Sequence, residues 1–133
     1  IEKNPVFRVI NDKFYIDARG KKMPLSTKFS KSVPLILNNV DSLDLKILGE
    51  IGGYIEKNKF LNNHISSLSF KNEDLVFTLN DFSYRLNMRG FKEYDSKFKN
   101  YESFFLKVYN SGLLDSLSSI NLNFKNQVII QRK

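Results

Sequence analysis

The sequence predicts an α+β domain, a mostly antiparallel sheet with two main helices packed on one face. Three observations carry that reading. Short stretches near both ends and in the middle alternate apolar and polar residues with the period-2 pattern of half-buried strands. Two longer stretches instead repeat apolar residues at helical spacing. No internal repeat or long linker divides the 133 residues, a length that suits one domain over residues 1–133 and can bury a core without staples.

The elements follow in order. Val6–Ile10 and Lys13–Asp17 read as two strands joined by a two-residue turn at Asn11-Asp12. Ala18-Arg19-Gly20-Lys21 is a second turn, with positive φ expected at Gly20. Lys22–Leu25 resumes as a strand, and Pro24 assigns it to an edge or a bulge because proline has no N–H to give a ladder. Ser26 to Lys31 is polar loop, and Ser32–Leu37 is extended and buried. A helix opens at Asp41 or Ser42 and places Leu45, Leu48, Ile51 and Ile55, flanked by Ile47 and Tyr54, on one face. Gly49, Gly52 and Gly53 cost it up to about 1 kcal/mol each relative to Ala, which predicts a close approach to the sheet. They lie inside the helix with no Lys-Ser/Thr after them, unlike a phosphate loop.

Three consecutive antiparallel strands are expected over Ile65–Phe70, Asp74–Leu79 and Tyr84–Met88, with Gly90 closing the meander. A second helix runs from about Asp95 to Tyr109. Its stripe is Phe98, Tyr101, Phe105 and Val108, widened by Phe104 and Leu106, while Lys97, Lys99, Glu102 and Lys107 face water. Gly112 fits the C-terminal stop. The last run reads as strand, turn, strand: Ile120, Leu122 and Phe124 alternate with Asn121 and Asn123, Lys125-Asn126 turns, and Val128-Ile129-Ile130 follows with high strand propensity. No later strand in this sequence covers it, so it is expected at a sheet edge whose unpaired main chain is either protected or used to capture a partner's strand. Arg132 and Lys133 suit a blunted edge; Val128 and Ile130 on one face and Ile129 on the other suit a partner.

Composition removes several functions. Without Cys there is no disulfide, thiolate ligand or cysteine nucleophile. No apolar run approaches the roughly 18 residues of a membrane span. His64 is the sole His and lies between Asn63 and Ile65 without a nucleophile elbow, so a surface or strand-capping role is expected rather than a relay or a metal site. Asp12, Asp17, Glu73, Asp74 and Asp81 fall at strand ends, where turn chemistry accounts for them, and Asp115 fits the same account. No cofactor is expected and no enzyme activity. The net charge of +7 would suit an anionic partner, but the lysines are scattered and only Lys21-Lys22 adjoin. A basic polyanion- or nucleic-acid-binding module is therefore the alternative reading, separable by its steep salt dependence.

Pro5–Val9, then Phe14-Tyr15-Ile16-Asp17-Ala18-Arg19-Gly20-Lys21, then Met23-Pro24-Leu25-Ser26 resemble the opening of the β domain of the FtsQ/DivIB division proteins. The likeness continues through Ser32–Ile36, Lys59-Phe60-Leu61, Lys97–Tyr101 and Ile120–Val128, nearly the whole chain, and is nearest to the Bacteroidota branch. The resemblance implies a single FtsQ-type β domain, with residues 1–10 at the junction with an upstream POTRA domain. It implies a full-length protein anchored in the inner membrane by an upstream helix, with this part on the periplasmic side at the division septum. It also implies a scaffold without catalytic activity that recruits FtsB/FtsL-like divisome partners by strand addition at the last strand and so couples to septal peptidoglycan synthesis. The partner-binding residues would be Phe124, Asn126, Gln127, Val128, Ile129, Ile130 and Arg132. Phe124 replaces a usual Tyr, Asn126-Gln127 a usual Asn-Gly or Ser-Gly turn, and Arg132 a frequent aromatic, so side-chain contacts should differ while main-chain pairing is kept.

Overall fold

The computed structural model describes residues 5–10, 14–24, 33–123 and 127–133. The fold is α+β with a mostly antiparallel sheet, as the sequence predicts. It divides into two compact units, Ile1–Ser69 and Phe70–Lys133.

In the first unit β1 (Pro5–Val9), β2 (Phe14–Asp17), β3 (Lys22–Pro24), β4 (Leu35–Ile36) and β5 (Ile65–Lys71, continuing past the division) lie in the order β3-β2-β1-β4-β5. The β1–β2 and β2–β3 pairs are antiparallel, whereas β4 runs parallel to both β1 and β5. The turn expected at Asn11-Asp12, the loop from Ser26 to Lys31, and Leu25 and Ser32 fall outside the described residues. The extended stretch before the helix is a shorter ladder than its apolar pattern suggested. Pro34 gives its carbonyl to the Arg8 N–H at 3.1 Å, and only Leu35 and Ile36 form strand.

The first helix is also two helices rather than one. Ser42–Asp44 makes a 3₁₀ turn, α1 spans Leu45–Lys57 and α2 spans Lys59–His64. Asn58 breaks them apart with extended backbone (φ −102°, ψ 110°), and its side-chain oxygen accepts the Leu61 N–H at 3.1 Å. Asn is a favoured helix cap because it satisfies an N–H that the first turn leaves orphaned. Leu48, Ile51 and Ile55 are buried as expected. The helical glycines have the predicted cause. A Cβ on Gly52 would lie 2.5 Å from Val6 Cγ2 and 2.9 Å from the Phe7 ring, and one on Gly49 would lie 2.5 Å from the Gly20 nitrogen. Val6 and Phe7 both reach this helix because the register shifts between Pro5 and Phe7, and such a bulge re-aims a side chain. Gly20 takes φ 84°, and Asp17, itself buried, accepts the N–H groups of Arg19 and Lys21, each at 2.9 Å, which closes the turn.

In the second unit β6 (Asp74–Leu79), β7 (Arg85–Arg89), β8 (Leu117–Asn121) and β9 (Ile129–Arg132) lie in the order β6-β7-β8-β9. β6–β7 and β8–β9 are antiparallel, and β7–β8 is parallel across α3 (Tyr94–Val108), the helical crossover that parallel strands require. Leu75, Phe77, Leu86, Met88 and Ile120 share one buried face through their registers. Phe77 meets Phe98 of α3 edge-on at 5.3 Å, so that face packs on the helix. β7 begins one residue later than expected. Tyr84 sits just ahead of it and turns into the core. α3 ends at Val108, and Gly112 (φ 80°) lies beyond a further turn, opening a 3₁₀ turn over Leu113–Ser116. Leu106, read as core, is 62% exposed, and the apolar stripe narrows to Phe98 and Tyr101, with Phe105 and Val108 half-buried.

Candidate partner-binding edge

The last hairpin is anchored by β8. Ile120 and Leu122 are buried, and the Leu122 N–H donates to the Asn87 carbonyl at 2.8 Å. The Asn123 N–H donates to Asn121 Oδ1 at 2.8 Å, and Asn123 Oδ1 accepts the Arg89 N–H. The two asparagines that alternate with the apolar residues thus tie the exit of β8 to β7. The strand starts earlier than its apolar alternation suggested, at Leu117, because Ser118 and Ser119 continue the ladder as soon as the 3₁₀ turn ends.

β9 pairs with β8 and, among the described residues, with no other strand. Its register is Asn121 opposite Ile129, Ile120 opposite Ile130, Ser119 opposite Gln131 and Leu117 opposite Arg132, with a bulge in β8 between Leu117 and Ser119. Ser118 Oγ donates to the Gln131 carbonyl at 3.1 Å and the Lys133 N–H donates to the Ser116 carbonyl at 2.9 Å, clasping the far end of the strand. Ile130 stands opposite the buried Ile120 and is half-buried. Ile129 is 43% exposed on the other face, and Gln127 and Arg132 are exposed.

Beside this edge lies an open groove of about 230 Å³, lined by Asn100, Ser103, Phe104 and Lys107 of α3 and by Gln127 and Val128. The fold therefore brings together Gln127, Val128, Ile129, Ile130 and Arg132 of the expected site. Phe124 and Asn126, with the Lys125-Asn126 turn, lie outside the described residues. The α3 half of the groove was missed. Phe104 read as core and Lys107 as solvent-facing, yet Asn100, Ser103, Phe104 and Lys107 recur at i, i+3, i+4 and i+7, a second stripe beside the apolar one.

Within the unit, the Tyr84 and Tyr101 hydroxyls meet at 2.6 Å in the core and fix α3 to the chain entering β7. Burial pushes the Tyr84 phenol up to about 12, the bond to Tyr101 opposing, and burial first and Tyr84 second push Tyr101 well above the usual phenol range. Lys97 donates to the Arg89 carbonyl at 3.1 Å; burial draws it below the ordinary lysine value and Glu93 opposes that shift. His64 is not a surface residue: it ends α2, is 7% exposed and stacks on Phe60 at 4.7 Å. Asp74 meets Arg89 at 3.8 Å where both side chains are exposed, a surface pair. Among the described residues no group of His, Asp and Glu is placed to hold a metal, and no helix is long and apolar enough to cross a membrane.

Comparison with known proteins bears on this arrangement at two levels. No curated protein matches the sequence. Among solved structures, the fold is similar to the major extracytoplasmic domain of the bacterial cell division protein DivIB from Geobacillus stearothermophilus, in its trans isomer. The TM-score is 0.59 at 12% identity, over 84% of this chain and 98% of that one. At that identity the likeness establishes the fold. The profile of the family described as FtsQ/DivIB, C-terminal related, matches residues 4–130, nearly the whole sequence, so the chain belongs to this FtsQ/DivIB-related family, and that membership implies a role in cell division.

Proposed function

We propose that this chain is a non-enzymatic scaffold of the division machinery that recruits an FtsB/FtsL-like partner by strand addition at β9. In this reading the two units work as one FtsQ-type β domain outside the inner membrane at the septum. The full-length protein is anchored by an upstream helix, and recruitment couples to septal peptidoglycan synthesis. One observation supports it: among the described residues β9 is laddered on one side only, and it runs beside an open groove lined by α3 and Val128.

The energetics require both parts. Each new main-chain hydrogen bond contributes about 0.5–1.5 kcal/mol net, and a few of these do not offset the entropy of association. Apolar side chains seated on Phe104 and Val128 supply the remainder, at about 25 cal/mol per Å² removed from water. Lys107, Arg132 and Lys133 flank the site and favour a partner segment carrying acidic residues.

The test is titration of this protein with the extracytoplasmic segment of the same organism's FtsB-like protein in moderate salt, alongside Val128→Glu and Ile130→Pro, with circular dichroism confirming that both variants fold. Saturable binding to the native chain and none to either variant is expected. Undiminished binding by folded variants would remove β9 as the site. Binding that collapses between low and moderate salt would point instead to a polyanion surface.

A further inference from the structure

We propose that a captured strand is held by the main chain of Ile130 and Arg132 and by no other residue of β9, in one register, with its groove-facing side chain seated against Val128 and Phe104. This rests on the strand-addition reading and adds the phase of the edge, which the sequence does not show.

The phase follows from two bonds at opposite ends of the hairpin. The Leu122 N–H donates to Asn87 of β7, so Leu122 and, two residues back, Ile120 turn their main chain toward β7. Ser119 and Asn121 therefore turn toward β9. Asn121 stands opposite Ile129, so Ile129 bonds inward. Independently, the Lys133 N–H donates to Ser116, and alternation along β9 places Gln131 and Ile129 on that same inward side. Ser118 Oγ on the Gln131 carbonyl agrees. The bulge lies in β8, so the alternation of β9 is unbroken. Ile130 and Arg132 are left with N–H and C=O directed away from β8.

Two residues make a short ladder, and the side-chain face decides what can use it. Ile130 stands opposite Ile120, on the face that packs on α3. The partner residue laterally adjacent to Ile130 shares that face, so its side chain points to the groove that Val128 opens next to β9. A slip by one residue turns that side chain to the opposite face. The kind of partner is therefore an extended segment with an apolar residue at one fixed position, free N–H groups at the two alternate positions that meet Ile130 and Arg132, and no proline at either.

Amide hydrogen exchange read by NMR tests this, first on the protein alone and then with the FtsB-like segment. Alone, Ile129, Gln131 and Lys133 should exchange at least about tenfold more slowly than Ile130 and Arg132; the opposite phase, or equal rates, overturns the proposal. With the segment, new protection should appear at Ile130 and Arg132. Ile130→Pro should abolish saturable binding and Arg132→Pro should weaken it at least about tenfold, neither moving the melting temperature, whereas Ile129→Pro and Gln131→Pro should lower the melting temperature. No new protection anywhere overturns the strand-addition reading and this proposal with it. New protection confined to residues outside Ile130 and Arg132 overturns this proposal alone.

Discussion

β3 and β9 are both terminal strands in the sheet orders of their units, and they treat their outer sides in opposite ways. In β3 the Asp17 N–H donates to the Lys21 carbonyl at 3.0 Å, so Lys21 and Met23 face β2, and Lys22 and Pro24 face outward. Pro24 has no N–H. Lys22 supplies the remaining outward donor, and its ammonium sits 4.8 Å over the Phe14 ring. A short strand with proline and lysine at its outward positions is a protected edge. At β9 the outward positions are Ile130 and Arg132, each with an intact N–H, and the neighbouring surface is a groove. The same ladder physics closes one edge and leaves the other open, and the difference is whether an outward position carries a proline.

The comparison breaks most severely if the support beneath β3 is removed. The turn after β2 is docked on α1, where a Cβ at Gly49 would meet the Gly20 nitrogen at 2.5 Å and the Asp17 carbonyl oxygen at 2.8 Å. Backbone atoms cannot rotate away, so Gly49→Ala should cost about 3 kcal/mol of stability, outweighing the gain of up to about 1 kcal/mol in helix propensity. Urea denaturation measures the net; an unchanged midpoint would show that the turn can lift off the helix freely. The support beneath β9 is next. Tyr101→Phe strips Tyr84, 1% exposed, of its 2.6 Å partner and should cost about 1–3 kcal/mol. The pair also sets an alkaline limit. Both phenols stay protonated in the fold while the unfolded chain ionises near about pH 10. The unfolded state then binds fewer protons, and stability, full below that pH, is lost as pH rises toward the folded Tyr84 value of about 12. Tyr84→Phe combined with Tyr101→Phe should flatten that loss in melts taken above pH 10.

Much of this was legible because it is periodic. The alternation at Leu75, Phe77 and Leu79, the helical spacing of Leu48, Ile51 and Ile55, and the edge role of Pro24 each follow from one residue type at one spacing. Errors arose where a polar residue acted through a hydrogen bond that spacing cannot reveal. Apolar spacing carries no signal at Asn58, whose extended backbone ends α1 and whose carboxamide oxygen caps α2. Ser118 and Ser119 lie outside the apolar alternation that marks the strand, yet they carry β8 through its bulge. The candidate site was half legible for the same reason. β9 declares itself by β-branched residues, but the groove needs Asn100, Ser103 and Lys107, polar residues on a helix face that solvent would equally well explain.

The smallest effect is the most direct test of the comparison. Pro24→Val gives β3 a second outward N–H and a β-branched side chain, so that both of its outward positions can donate, as both do in β9. Pro24 pairs with Phe14, and because its outward position takes no part in the β2 ladder, the substitution removes no internal hydrogen bond. Stability should change by less than about 1 kcal/mol. The expected gain is weak concentration-dependent self-association in sedimentation velocity, enlarged when Lys22→Val also removes the outward charge. The order of the two variants decides between causes. If Pro24→Val alone associates, the missing donor is what closes the edge. If association appears only with Lys22→Val, the cation over Phe14 is the gatekeeper of β3, and an unpaired N–H alone does not open an edge.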